Sequence, residues 1–362
     1  MSNVLFEQRI PNPLDNATYC RRATLQPFCS EMSATVCVTG AAGYLGSYLV
    51  KRLLQKGYTV HATTRNLGDE KKVGLLKALP QAETGLKLFE ADIYKPEEFA
   101  AAVEGCEAVI HMATPLEHHS RSSQFKNTSD AAVAGVKSIV ESCLRSGTVK
   151  KLIYTASVTA ASPMKEDGTG FKDSMDESCW TPFHLSFPYA TEFLTAYVSS
   201  KTLSEQEVLR YNGKLEVVSL ACGLVGGDAL VSTLPVTTGV MVSQATMNTE
   251  LYHTLRFLEE LMGKIPLVHV EDVCEAHIFC IDKPSITGRF LVANAYLSSA
   301  DIGHYWERCN SGIATAKEYM ETSGRKVEWG STKLRDMGFE YKHDVSDILN
   351  DSLKCAREKG QP

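Results

Sequence analysis

A doubly wound parallel α/β sheet, with a smaller, discontinuous, mostly helical lobe, is the architecture this sequence predicts. Three observations carry that prediction. Short β-rich runs alternate with helical periods from Ala34 to about residue 222. The strands read as nearly continuous apolar stretches, as strands covered on both faces do. A glycine cluster separates the first strand from the first helix.

The elements follow in order. "TVCVT" (35–39) is a strand, and Leu45, Leu49, Val50, Leu53 and Leu54 recur at helical spacing until Gly57, which tolerates a left-handed cap. "YTVHATTR" (58–65) is the second strand, followed by a helical stretch at 69–79. "LKLFEAD" (86–92) is the third, and Pro96 opens the helix "PEEFAAAVEG". "EAVIHMAT" (107–114), a helix near 128–145, "KKLIYTAS" (150–157) and "LEVVSLA" (215–221) continue the alternation. Beyond residue 222 it weakens into a helix at 248–263, "IPLVHVEDVCEAHIFCI" (265–281), the strand "GRFLVAN" (288–294) and a helical C-terminus. The expected division is an extension at 1–32, a dinucleotide-binding part at 33–222 with 265–295 added to it, and a substrate lobe from 223–264 and 296–362.

Residues 1–32 hold prolines and polar residues without a period, which predicts disorder, and Met32 is a candidate translation start. No apolar signal core is present there, and Glu7, Asp15 and Glu31 argue against a transit peptide. In 362 residues the net charge is −6, which gives no electrostatic footprint for nucleic acid or an anionic membrane. No apolar run reaches the ~18 residues of a membrane span. The eleven cysteines stand singly, without C-x-x-C or zinc spacing, which predicts free thiols, a cytoplasmic setting and no metal.

Gly40, Gly43 and Gly46 form G-x-x-G-x-x-G between a strand and a helix, the context that marks a Rossmann-type dinucleotide site. Gly40 makes the turn, Gly43 admits the pyrophosphate, and Gly46 lets the helix pack closely. Tyr44 and Leu45 with Gly46 begin the helix whose free N–H groups hold phosphate. About 20 residues on, where an NAD site carries an acid for the ribose 2′-hydroxyl, this chain has Arg65. A guanidinium binds a 2′-phosphate bidentately, so the expected cofactor is NADP(H), with Lys72 as a second positive charge. Asp92 and Ile93 follow the third strand, and Ala113, Thr114 and Pro115 the fourth, on the edge where cofactors lie.

Ser157 ends the fifth strand on that same edge, and Tyr197 and Lys201 follow at i and i+4 on the next helix. One helical turn separates that pair by about 6 Å, which at an effective dielectric of ~20 is worth roughly 2.5–3 kcal/mol, or about two pKa units. The expectation is a phenol drawn from about 10 toward ~8, suited to donate a proton, with Ser157 donating a hydrogen bond to a substrate oxygen. His118 and His119 are expected on a loop surface. His269 and His277 are expected to be satisfied buried imidazoles, and Tyr252, Phe257 and Leu261 to be core.

The stretches "VCVTGAAGYLGSYLVKRLLQKGY", "HMATP", "DESCW", "YVSSKTLSEQ", "LVHVEDVCEAHIFC" and "GRFLVAN" resemble the extended short-chain dehydrogenase/reductases. More narrowly, they resemble the plant dihydroflavonol 4-reductase and anthocyanidin reductase group. The resemblance covers residue 34 to the C-terminus. It implies Ser157, Tyr197 and Lys201 as a catalytic triad, Arg65 and Lys72 at the 2′-phosphate, and Asp92 at the adenine. It also implies that Lys201 holds the nicotinamide ribose. Departures are Ser162 where dihydroflavonol reductases usually carry asparagine, Ala221 where they carry proline, and the absence of the N-W-Y-C-Y-G-K block of cinnamoyl-CoA reductases. Gly46 is a glycine that anthocyanidin reductases often lose. The expected activity is NADPH-dependent reduction of a bulky aromatic or flavonoid-type carbonyl or quinone-methide-like substrate. The rivals are an NAD-dependent nucleotide-sugar epimerase or dehydratase and a non-catalytic NADP-sensing protein.

Overall fold

The computed structural model describes residues 34–115, 124–167, 169–309 and 315–361; the expected extension at 1–32 and the histidines 118 and 119 lie outside them. The strands are β1 (Thr35–Thr39), β2 (Thr59–Thr64), β3 (Leu86–Glu90), β4 (Ala108–His111), β5 (Lys151–Ser157), β6 (Ser174–Met175), β7 (Glu216–Cys222), β8 (Leu224–Gly226), β9 (Ile265–His269), β10 (Gly288–Val292), β11 (Ala295–Leu297) and β12 (Glu328–Trp329). The helices are α1 (Tyr44–Gln55), α2 (Glu70–Lys77), α3 (Ala82–Gly85), α4 (Ala100–Val103), α5 (Thr128–Ser146), α6 (Glu192–Leu209), α7 (Val236–Met241), α8 (Thr249–Met262), α9 (Val270–Asp282), α10 (Ser299–Cys309), α11 (Lys333–Asp336) and α12 (Val345–Glu358).

Seven strands form one parallel sheet in the order β10-β7-β5-β4-β1-β2-β3. Successive side chains of a strand point to opposite faces, so a sheet covered twice needs apolar residues at every position. In β1, Val36 and Val38 join the cluster that includes α1 and α9, while Cys37 joins the cluster that includes α5 and α6. Lys151, at the start of β5, is buried and donates to the carbonyls of Cys280 and Lys283 at 2.7 Å, which satisfies the carboxyl end of α9.

The second lobe is built on a three-stranded sheet, β11-β9-β8, carrying α7, α8 and α12. Ile265–His269, expected with the dinucleotide-binding part, pairs here instead. The expected helical C-terminus is helical in α10 and α12, but much of 315–344 between them is irregular. Buried side chains of α8 hold that segment. Arg256 donates to the Glu321 carbonyl, and Glu259 accepts from Thr322 Oγ1 at 2.7 Å and from the Ser323 amide at 3.2 Å. Pairing of β12 with β6 and buried Tyr319, Val327, Leu334 and Phe339 add to these contacts, so its order comes from distant partners more than from a period of its own.

Candidate active site

The strand order reverses between β1 and β4: β1 leads outward to β2 and β3, and the chain then crosses back to β4. The carboxyl ends of two such strands diverge and leave a crevice. Here it is a cleft of ≈ 760 Å³, lined by Gly40 and Gly43, by Thr63–Asn66, by Ala91–Tyr94 and by Met112–Pro115, with Asp69 and Lys72 at its side.

Gly40 adopts φ +68°, and a β-carbon on it would stand 3.1 Å from the Ala113 backbone, so the loops after β1 and β4 touch there. Gly43 is the N-cap of α1, with no side-chain cap and no acidic residue in the first turn, so the helix end is open to an anion. A β-carbon on Gly46 would run into the Gly40 carbonyl and approach Ala41 Cα to 2.9 Å. Tyr44, Leu45 and Gly46 lie outside the cleft lining. The Tyr44 hydroxyl donates to the Gly226 carbonyl at 3.1 Å, and Leu45 packs on the core.

Arg65 is exposed at the cleft and makes no hydrogen bond or ion pair to other described residues. Lys72 lies at the side of the cleft, as expected, and its exposed ammonium pairs with Asp69 at 3.2 Å, while Asp69 also caps α2 through the Lys72 amide. Asp92 accepts from the Tyr94 amide at 3.1 Å, and Ile93 is buried beside it.

On the other wall, Thr39 Oγ1 accepts from the amides of Met112 and Ala113 at 3.0 and 3.1 Å. Its own proton is thus directed to His111 Nδ1, 2.8 Å away, which makes that nitrogen the acceptor. Burial, with Lys201 nearby, pushes His111 down to about 3. Lys201 Nζ donates to Thr114 Oγ1 at 2.8 Å and to the Thr155 carbonyl at 3.1 Å, and it lies 5.4 Å from the centre of the Tyr154 ring. Thr114 therefore connects α6 to the cleft.

Ser157 receives a hydrogen bond from Thr159 Oγ1 at 2.9 Å and one from the Thr159 amide at 3.3 Å. Its own proton is free for the Tyr197 oxygen, where its hydrogen bond lowers the phenol's pKa. Burial outweighs this, and the Tyr197 phenol is raised, not lowered. The expected pull of Lys201 is not among the influences on it, because the ammonium turns to Thr114 and Thr155. The lysine is the group that shifts down: burial takes it to about 8. Tyr197, partly exposed, stays protonated at neutral pH.

The structure thus brings Ser157 and Tyr197 together and ties Lys201 to the cleft lining. Thr39, His111 and Thr155 were not visible in the sequence as parts of this wall, since nothing in a strand's own residues shows which neighbour its hydroxyls meet. Ser162 is fully buried, donates to the Leu261 carbonyl at 2.6 Å and accepts from the Met164 amide at 3.0 Å, so it does not face a ligand. His277 is satisfied at both ring nitrogens, by Thr155 Oγ1 at 2.8 Å and the Val273 carbonyl at 2.7 Å. His269 departs from the expectation of a satisfied imidazole: it is buried, accepts from the Glu271 amide at Nδ1 and stacks on His343. Its Nε2 has no hydrogen-bond partner among the described residues, with Asp351 3.4 Å away. Tyr252, Phe257 and Leu261 are core.

Residues 36–293 match the NAD dependent epimerase/dehydratase family. A dihydroflavonol 4-reductase of Gerbera hybrida is 35% identical over 91% of this chain and 88% of its own length. An anthocyanidin reductase ((2S)-flavan-3-ol-forming) of Vitis vinifera is 32% identical over 90% of this chain and 96% of its own. Among solved structures, vestitone reductase from alfalfa superposes with a TM-score of 0.72 at 29% identity, over 91% of this chain and 99% of its own.

Proposed function

The chain belongs to the NAD dependent epimerase/dehydratase family, beside dihydroflavonol 4-reductases and anthocyanidin reductases, and from that premise we propose that it reduces a bulky aromatic, flavonoid-type carbonyl with NADPH. The unpaired Arg65 guanidinium in the cleft fits a 2′-phosphate, and the open N-terminus of α1 fits the pyrophosphate. Reduced nicotinamide, when bound, supplies hydride. Tyr197 gives its phenolic proton to the substrate oxygen as negative charge grows there, and Ser157 supports that charge with its hydroxyl proton. Lys201, held by Thr114 and the Thr155 carbonyl, keeps a positive charge close to the reacting centre.

The observation that carries this reading is the convergence of Ser157, Tyr197 and Lys201 on the carboxyl edge, with Lys201 bonded to the lining of the cleft that holds Arg65. The test is a panel of a dihydroflavonol, an anthocyanidin and vestitone with NADPH or NADH, followed by loss of reduced-nucleotide absorbance and by product mass. NADPH consumption with at least one of them, and a marked preference over NADH, is expected. Tight NADPH binding without turnover of any member would refute the reductase reading.

A further inference from the structure

Beneath the proposed catalytic residues lies a buried ion pair that the mechanism above does not use. Arg289 of β10 meets Glu205 of α6 in a two-pronged contact, Nε to Oε1 and Nη2 to Oε2, each at 2.9 Å. Glu205 is fully buried and Arg289 only 5% exposed. The remaining guanidinium protons go to the carbonyls of Ala160 at 3.1 Å, Glu177 at 3.1 Å and Cys179, so all five N–H groups are engaged. Ser219 of β7 adds a hydrogen bond to Glu205 Oε1 at 2.5 Å, and the Trp180 ring lies 3.7 Å from the guanidinium.

The three places it joins are telling. Ala160 ends the short 3₁₀ turn that Ser157 caps. Glu205 stands one helical turn beyond Lys201, and Glu177 and Cys179 belong to the "DESCW" segment. Ser157 and the Tyr197–Lys201 pair sit on different elements, and groups that act on one oxygen must keep their relative placement within about half an ångström.

We propose that Arg289 and Glu205 are positioning residues of the active site: the guanidinium locks the turn that carries Ser157 to the helix that carries Tyr197 and Lys201, and the carboxylate sustains the positive charge of Lys201. This rests on the reductase reading of the same site. A buried ion pair is weak evidence for stability, since an apolar pair of equal volume often serves as well. One that uses five planar donors to fix three segments has a geometric task that lysine, with three donors on a flexible stem, does not reproduce.

The electrostatic part follows from what faces Lys201. His111 of β4, Tyr154 of β5, Cys222 of β7, and Tyr197 and Glu205 of α6 surround it. His111 is pushed down to about 3 and Cys222 up to about 12, both by burial, and Tyr154 and Tyr197 are raised, so these four are neutral near pH 7. Burial has the largest effect on Lys201 and lowers it; Cys222 and then Glu205 act the other way. Glu205, one helical turn on along the same buried face of α6, is the carboxylate of the two.

The test pairs Glu205→Gln with Arg289→Lys. The Lys201 midpoint is read by NMR on protein carrying ¹³Cε-lysine, with Lys201→Arg assigning the signal. Turnover with NADPH is measured on the panel carbonyl the parent protein reduces fastest. In Glu205→Gln the Lys201 midpoint should fall by about one unit, and the alkaline limb of kcat should move with it. In Arg289→Lys kcat should fall about 10–100-fold, with KM for NADPH within about twofold, since the pair does not line the cleft. Folded variants with an unmoved Lys201 midpoint and parental kcat would overturn the proposal. If Glu205→Gln fails to fold, the kcat-against-KM split in Arg289→Lys decides. Inactivity of the parent on every carbonyl would refute the reductase reading alone, because the Lys201 midpoint is read without turnover.

Discussion

Tyr197 works as an acid only if it holds its proton when the substrate arrives, and burial ensures that by raising its pKa. The Ser157 hydrogen bond offsets part of that rise, and in the proposed mechanism the same proton turns to the substrate oxygen when one arrives. Tyr197→Phe keeps the ring and removes the proton. It should retain NADPH affinity by fluorescence titration and lose about 10²–10⁴-fold in kcat; a rate near the parent's would exclude the phenol as donor. At the other end of the cleft, Arg65 has no partner among the described residues to share its charge. Arg65→Asp places a carboxylate opposite a 2′-phosphate and should invert the NADPH-to-NADH ratio of kcat/KM, and an unchanged ratio would remove Arg65 from cofactor choice. The tyrosine–lysine spacing, the serine and the arginine were all legible in the sequence, because each is defined by a nearby motif. Glu205 and Arg289 were not, since their contact spans 84 residues and neither stands in a pattern that marks it as buried.

The helix α1 shows how a single hydrogen in place of a methyl group lets a helix close on the loop before it. At most helical positions alanine is favoured over glycine by up to about 1 kcal/mol. At Gly46 a β-carbon would strike the backbone of Gly40 and Ala41, which cannot rotate away, so helix and loop would have to separate. Gly46→Ala should therefore lower Tm and weaken NADPH about tenfold, an overpacking cost of about 1–3 kcal/mol. Gly74 in α2 is the control, with open space where its β-carbon would stand, and Gly74→Ala should raise stability by about 0.5–1 kcal/mol and leave NADPH binding unchanged. Equal behaviour of the two variants would exclude the close approach as the function of Gly46. The elements of the main sheet were readable because each strand is a local apolar run and each covering helix has its own period. Residues 315–344 carry only the short β12 and α11, and much of what holds them lies far away in the chain: Arg256 and Glu259 of α8, Gln244, and the pairing of β12 with β6. α6 is readable at its motif but not on its buried face, where Ser200, Lys201, Ser204 and Glu205 stand in place of apolar residues.

Across the whole molecule, two buried histidines connect the sheet to what surrounds it, and both require the neutral form. His111 takes a proton from Thr39 between β4 and β1; His277 fastens α9 to Thr155 of β5, the residue whose carbonyl also receives Lys201. Burial pushes His111 down to about 3 and His277 to about 4, against about 6.5 in an unfolded chain. Between those limits the unfolded chain binds the protons and the folded one does not. Stability is thus fully present above the unfolded value and is lost as pH falls toward the folded ones. With both groups contributing, the loss approaches about 2.7 kcal/mol per pH unit once the unfolded histidines are charged, and one group alone gives about 1.4. Most carboxylates titrate lower, so the interval from about pH 6 to pH 5 isolates the imidazoles. His277→Gln, whose amide can accept from Thr155 and donate to the Val273 carbonyl, should be less stable near pH 7 but fall less steeply over that interval. Urea unfolding of parent and variant at several pH values gives the two slopes. Parallel slopes would mean that His277 carries a proton in the folded protein, and the hydrogen-bond assignment that links α9 to the floor beneath Lys201 would have to be reversed.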